Sequence, residues 1–276
     1  MDARMIRPLV FALVLALSAT GAWADMYSDC SQSRDLDRRI RGCTQVIERG
    51  KQESQKDRAI AYANRGYAYH DKGEVDRAIA DYTKAIALNP KDAIAYTSRG
   101  VAYGMKSEYD RAIADFNKAI ALDPNDADAY YNRGSAYKKK GDKEQAIADY
   151  TQVIALDPNF TIAYTSRGHT YDEKGEVDRA IADYTQAIAL DPNFADAYNS
   201  RAWTYFKWGK PELGLPDAEH AVELAPDDAS FLDTRGQIYA ALGRREEAIA
   251  DLQKALSIDP DIKDSREALQ RLGVTP

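Results

Sequence analysis

The sequence predicts an all-α fold, a solenoid of helix-turn-helix units. Three observations predict it. Prolines recur at Pro90, Pro124, Pro158, Pro192, Pro226 and Pro260, each 34 residues after the last. The segments around them align without a gap, so six copies cover residues 59–262. Each copy holds two apolar faces of helical period. In the second copy Tyr96, Gly100 and Tyr103 share one face of a first helix, and Ala112, Ile113, Phe116, Ala119 and Ile120 share one face of a second. A single hairpin cannot bury both faces alone, so neighbours must stack.

The elements follow in chain order. Residues 1–24 read as a secretory leader: Arg4 and Arg7 give the positive start, Leu9 to Leu17 is apolar, and Ala22-Trp23-Ala24 is a small-x-small cleavage site. The alternative is an uncleaved anchor. Cleavage places the chain in an exported setting, periplasmic or secreted, where disulfides persist. Residues 25–58 read as a partial repeat that caps the stack, with a linker from Gly50 to Lys56. Cys30 and Cys43 lie in this cap and are expected to form a disulfide; two buried free thiols are the alternative. Two cysteines without a nearby histidine do not make a zinc site.

Within the copies, Gly73, Gly141, Gly175, Gly209 and Gly243 suit a left-handed helix stop, and Ser107 stands there in the second copy. Each periodic proline ends a second helix, because the residue before proline is pushed out of the α region. Gly66, Gly100, Gly134, Gly168 and Gly236 face small alanines of the second helices, so the two backbones can approach closely. The fifth copy departs, with Ala202, Gly214 and Ala218 in place of glycine, alanine and an aromatic. Pro211 can start its second helix; Pro216 is expected to kink that helix or delay its start. Residues 263–276 supply a polar capping helix, with Leu269 and Leu272 inward.

On this period, the aromatic-Gly-aromatic first helix, the Ala-aromatic-Ala second helix and the terminal proline, the chain resembles the tetratricopeptide repeat family. The resemblance implies a right-handed superhelix whose first helices line a concave groove that binds protein or peptide. The family's clamp for acidic peptide tails uses Lys, Asn and Arg. Here Ala63, Tyr67, Thr97, Asp128 and Asn132 stand at or beside those places without the cations, so that activity is not carried over. By the same resemblance the groove-facing, partner-binding candidates are Tyr67, His70, Tyr131, His169, Trp203 and Phe206. Trp203 and Phe206 either grip a partner or fill space left by Ala218 and Gly214.

Two charges recur in every copy: Arg65, Arg99, Arg133, Arg167, Arg201 and Arg235 in first helices, and Asp81, Asp115, Asp149, Asp183, Asp217 and Asp251 in second helices. The common form of the family has an apolar residue at the arginine, so this is a departure. A ladder of structural Arg–Asp pairs is expected, since arginine suits bidentate pairing with carboxylate. The alternative is a strip for anionic ligands. Lys138, Lys139 and Lys140, with Asp172 and Glu173, read as a solvated face or a charged rim that steers a partner.

The chain has 276 residues, with 37 basic against 44 acidic side chains and a net charge of -7. This balance argues against nucleic-acid binding, which needs a basic face. Charged residues at 29% exclude a polytopic membrane protein. The three histidines, His70, His169 and His220, share no motif with a cysteine or paired carboxylates. No cofactor, metal or catalytic set is expected. The function expected is a non-catalytic scaffold for a protein or peptide partner. The alternatives are a self-associating structural module, or binding of cell-wall polysaccharide. No stable membrane insertion is expected after leader cleavage. Eighteen tyrosines against six phenylalanines and three tryptophans remain conspicuous, and most of them sit at repeated packing sites.

Overall fold

The computed structural model describes residues 21–275. The expected leader lies outside the described residues, except that Gly21–Ala24 begin the first helix. Fifteen α-helices and one 3-10 turn, with no strand, make up the described residues. The chain divides into two compact units at the Gln145/Ala146 boundary.

The first unit contains α1 (Gly21–Gln32), α2 (Leu36–Glu48), a 3-10 turn (Gly50–Gln52), α3 (Gln55–Asp71), α4 (Val75–Leu88), α5 (Ala93–Met105), α6 (Tyr109–Leu122) and α7 (Ala127–Lys140). Helix α8 (Lys143–Leu156) spans the boundary. The second unit continues with α9 (Thr161–Glu173), α10 (Val177–Leu190), α11 (Ala195–Lys207), α12 (Pro211–Leu224), α13 (Ala229–Ala241), α14 (Arg245–Ile258) and α15 (Lys263–Arg271). Within each unit, helices pack as hairpins stacked on their neighbours, as in an α-solenoid.

The ends of the helices follow from local chemistry. Asp92, Asp126 and Asp228, just beyond the periodic prolines, accept hydrogen bonds from the first-turn amides of α5, α7 and α13. At the hairpin turns Gly73, Gly141, Gly175, Gly209 and Gly243 take positive φ between 71° and 94°. The amide just after each turn residue returns to a tyrosine carbonyl, as Glu74 does to Tyr69 at 2.8 Å. Ser107 adopts the same conformation with φ 60° and is the sole non-glycine to do so among the described residues.

The N-terminal region differs from the expected linker. Helix α3 already begins at Gln55, because the Ser54 hydroxyl accepts from the Asp57 amide at 3.0 Å. Ahead of it α1 and α2 pair as a hairpin and α2 packs on α3. Cys30 and Cys43 are disulfide-bonded with Cα atoms 4.5 Å apart, inside a cluster with Met26, Val46 and Ala61.

The close approach of paired helices is visible at Gly100. A Cβ placed there would lie 2.6 Å from the Phe116 ring. The fifth copy inverts this arrangement. Ala218 has no ring to place there, Ala202 occupies that space from α11, and Gly214 sits at the tight contact, where an added Cβ would lie 2.7 Å from the Ala202 carbonyl oxygen. Helix α12 starts at Pro211 and runs through Pro216 to Leu224, so its start is not delayed. Pro216 and Glu212, whose carbonyl loses an amide partner, are both exposed, and water can satisfy that carbonyl.

Candidate functional site

Within the two units the recurring charges meet as ion pairs, Arg65–Asp81 and Arg99–Asp115 in the first and Arg167–Asp183, Arg201–Asp217 and Arg235–Asp251 in the second. Each is bidentate, Nε and one terminal nitrogen donating to the two carboxylate oxygens at 2.7–2.9 Å. Arg133 and Asp149 fall on opposite sides of the unit boundary. The guanidinium's remaining nitrogen reaches back to the preceding hairpin, as Arg99 does to Thr83 at 3.1 Å, Arg133 to Asn117 at 2.6 Å and Arg201 to Thr185 at 2.9 Å. Tyrosines before and after flank Arg65, Arg99 and Arg167, the Tyr96 and Tyr103 rings lying 5.8 Å from the Arg99 guanidinium carbon, while Arg235 has Tyr239 after it and Leu232 in place of the preceding ring. A group so thoroughly paired is unsuited to holding an external anion.

The partner-binding candidates separate. In the first unit Tyr67 and His70 have ring centroids 6.4 Å apart, and His70 Nδ1 lies 3.4 Å from Asp71. Burial pushes the Tyr67 phenol up, and the Asp71 charge adds to it. Tyr131 is buried, with 9% of its surface exposed, so its ring is a packing element rather than an open contact. In the second unit Phe206 turns onto the cluster of Ala202, Ala218 and Ile238, which answers the space-filling reading for this ring. Trp203 stacks obliquely on Phe206 with centroids 5.1 Å apart and faces a pocket.

That pocket, of about 350 Å³, runs along the first helices α9, α11 and α13 and ends at α15. His169 and Asp172 come from α9, Asn199, Trp203 and Thr204 from α11, Asp233 from α13 and Asp264 from α15. It therefore brings His169 and Trp203 together. His169 is held from both sides, Nδ1 3.2 Å from the Tyr184 hydroxyl and Nε2 3.2 Å from Ser200 Oγ. Ser200 spends its proton on the Asp196 carbonyl at 2.6 Å. That network assigns the histidine proton to Nε2, with Nδ1 accepting from Tyr184. Burial pushes the Tyr184 phenol up, and the Asp172 charge reinforces this. Asp172 is not a solvated charge: Lys207 pairs with it. Asp233 is 7% exposed, and burial raises its carboxyl above the usual range, with hydrogen bonds from Ser265 and Gln237 offsetting part of the shift. Asp233 and Asp264 escaped the sequence reading. The available signal was register: Asp233 stands one period after Asn199 and two after Thr165, on a face where composition varies from copy to copy. No group of three or more His, Cys, Asp or Glu side chains is placed to hold a metal among the described residues.

Tetratricopeptide and TPR repeat profiles match residues 66–107, 105–141, 127–160, 168–209, 195–228 and 229–262, which is well over half the chain. The chain belongs to the tetratricopeptide repeat family. Among solved structures of such repeats it is similar to YrrB, a TPR protein with an unusual peptide-binding site, at 27% identity over 70% of this chain and 97% of that one, with TM-score 0.57. MamA is 30% identical over 61% of this chain and 92% of that one, with TM-score 0.56. A tetratricopeptide repeat protein of Parabacteroides merdae shares the fold over 91% of this chain and 98% of that one, with TM-score 0.71 at 21% identity. No curated protein sequence matches the chain. Among the described residues no helix is long and apolar enough to cross a membrane.

Proposed function

We propose that this protein is a non-catalytic scaffold that holds a protein or peptide partner along the first helices of its second unit, and that it acts after export, in the cell envelope or outside it. The observation behind the reading is the pocket of α9, α11 and α13. It joins an aromatic face at Trp203 to polar groups of three successive repeats, the combination that favours orienting an extended ligand. Tetratricopeptide repeats generally mediate protein–protein contacts, and likeness to a peptide-binding relative points the same way. The Cys30–Cys43 disulfide and the leader-like residues 1–24 support the exported setting.

A photo-crosslinking residue at Trp203 tests the reading. Crosslinks to a defined partner from the envelope fraction, abolished by excess partner peptide, are expected. Crosslinks to further copies of this chain alone would replace the partner reading with self-association.

A further inference from the structure

The charge in the second-unit pocket is unbalanced. Asp172, Asp233 and Asp264 line it, and Lys207 is the cation paired there, on Asp172. The buried Asp233 carboxylate is held by neutral donors, Ser265 Oγ at 2.5 Å and Gln237 Nε2 at 3.4 Å. Leaving a buried carboxylate without a counter-charge is costly, so such groups usually have a cation.

A separate feature lies on α11. Thr204 is 1% exposed, lines the pocket, and its Oγ1, though near the Tyr184 hydroxyl, makes no hydrogen bond of normal geometry. Thr170, one repeat earlier in the same register, spends its hydroxyl on the Ser166 carbonyl at 2.8 Å. Asn199 Oδ1, also in the pocket wall, is buried and unpaired as well. Unpaired oxygens and excess carboxylate call for a ligand rich in N–H donors and positive charge. Trp203 lines the same pocket, and an indole ring beside carboxylates suits a cation on an aliphatic stem.

We propose that this pocket receives the lysine or arginine side chain of a partner peptide lying along α9, α11 and α13. The proposal rests on the peptide-binding reading above and supplies its chemistry. It is the reverse in charge of a clamp for acidic tails.

The test titrates the full chain with short capped peptides that differ at one central position, bearing arginine, lysine, norleucine or glutamate. Calorimetry and tryptophan fluorescence report binding at low salt, and an array of mixed-sequence peptides is screened in parallel. The cationic peptides are expected to bind about tenfold or more tighter than the norleucine one, and to lose that margin in Asp264→Asn and in Asp233→Asn. Asp264 is exposed, so its variant is expected to keep the fold. Equal binding of all four peptides, or a margin untouched in both variants, overturns the inference. If array peptides are held without cationic preference, the peptide-binding reading survives and the charge assignment falls. If no peptide binds in either format, both fall.

Discussion

Arg99 and Asp115 meet through two parallel hydrogen bonds, Nε to Oδ2 at 2.7 Å and a terminal nitrogen to Oδ1 at 2.8 Å, while the other terminal nitrogen crosses to Thr83 of the preceding hairpin. One side chain thus ties its own helix pair together and ties that pair to the one before it. The arginine is 16% exposed and the aspartate 8%, so water screens the pair only weakly. Arg99→Leu leaves Asp115 without its partner and is expected to cost about 2–3 kcal/mol, somewhat below a fully buried pair. Arg99→Lys recovers little, because an ammonium cannot reproduce the planar fork. Urea denaturation of both variants checks this; a loss within error for Arg99→Leu would remove the ladder from the account of stability.

The hairpin turn at Ser107 is the next test. A side chain at φ 60° is unfavourable, and the equivalent turns use glycine. Ser107→Gly is expected to raise stability by about 1 kcal/mol, since it relieves left-handed strain and gives up only the long, exposed hydrogen bond that Tyr109 donates to the Ser107 hydroxyl at 3.3 Å. Thermal melts of the two proteins measure it.

Two glycines four residues apart in α5 should respond with opposite signs. Gly100→Ala drives a Cβ into the Phe116 ring, and overpacking of about 1–3 kcal/mol outweighs the gain in helix propensity. At Gly104 a Cβ meets nothing within 4 Å, so Gly104→Ala is expected to stabilise by up to about 1 kcal/mol. Chemical denaturation of both variants gives the comparison.

The Cys30–Cys43 bridge has a local effect to test. It closes a short loop in the α1–α2 hairpin, and its removal is expected to cost about 3 kcal/mol in the chain-entropy description. Stacked repeats share contacts with near neighbours, so the loss should concentrate in α1 and α2. Hydrogen exchange of the Cys30→Ala, Cys43→Ala protein checks the location; uniform deprotection of the chain would contradict it.

Asp233 gives a pH dependence of defined sign. Burial raises its carboxyl in the folded chain, so the folded state binds the proton more tightly than the unfolded state. Its contribution to stability is therefore greatest at acid pH and falls as pH rises from the ordinary aspartate value through the folded value. Asp233→Asn removes that contribution, so relative to the parent protein the variant's stability at pH 7 is expected to rise against its stability at pH 4. Denaturation of both proteins across that range measures it.

Much of the fold was legible because each local rule applies repeatedly. The proline period, the glycine turns and the helical spacing of tyrosine and alanine set the helix pairs, and the recurrence of Arg99 and Asp115 in every copy named an ion pair before any distance was known. The sequence alone also singled out His169 and Trp203 as places where copies differ. Only the tertiary structure decided that these two share a pocket with Asp233 and Asp264, that Phe206 turns to the core and that Tyr131 is buried. It alone showed that Arg99 spends its spare nitrogen on Thr83, and that Gly214 answers Ala202 across a helix pair. The division has a physical cause. Helix stops and amphipathic faces are set by residues a few positions apart, whereas burial and charge balance depend on side chains that stacking brings together from separate repeats.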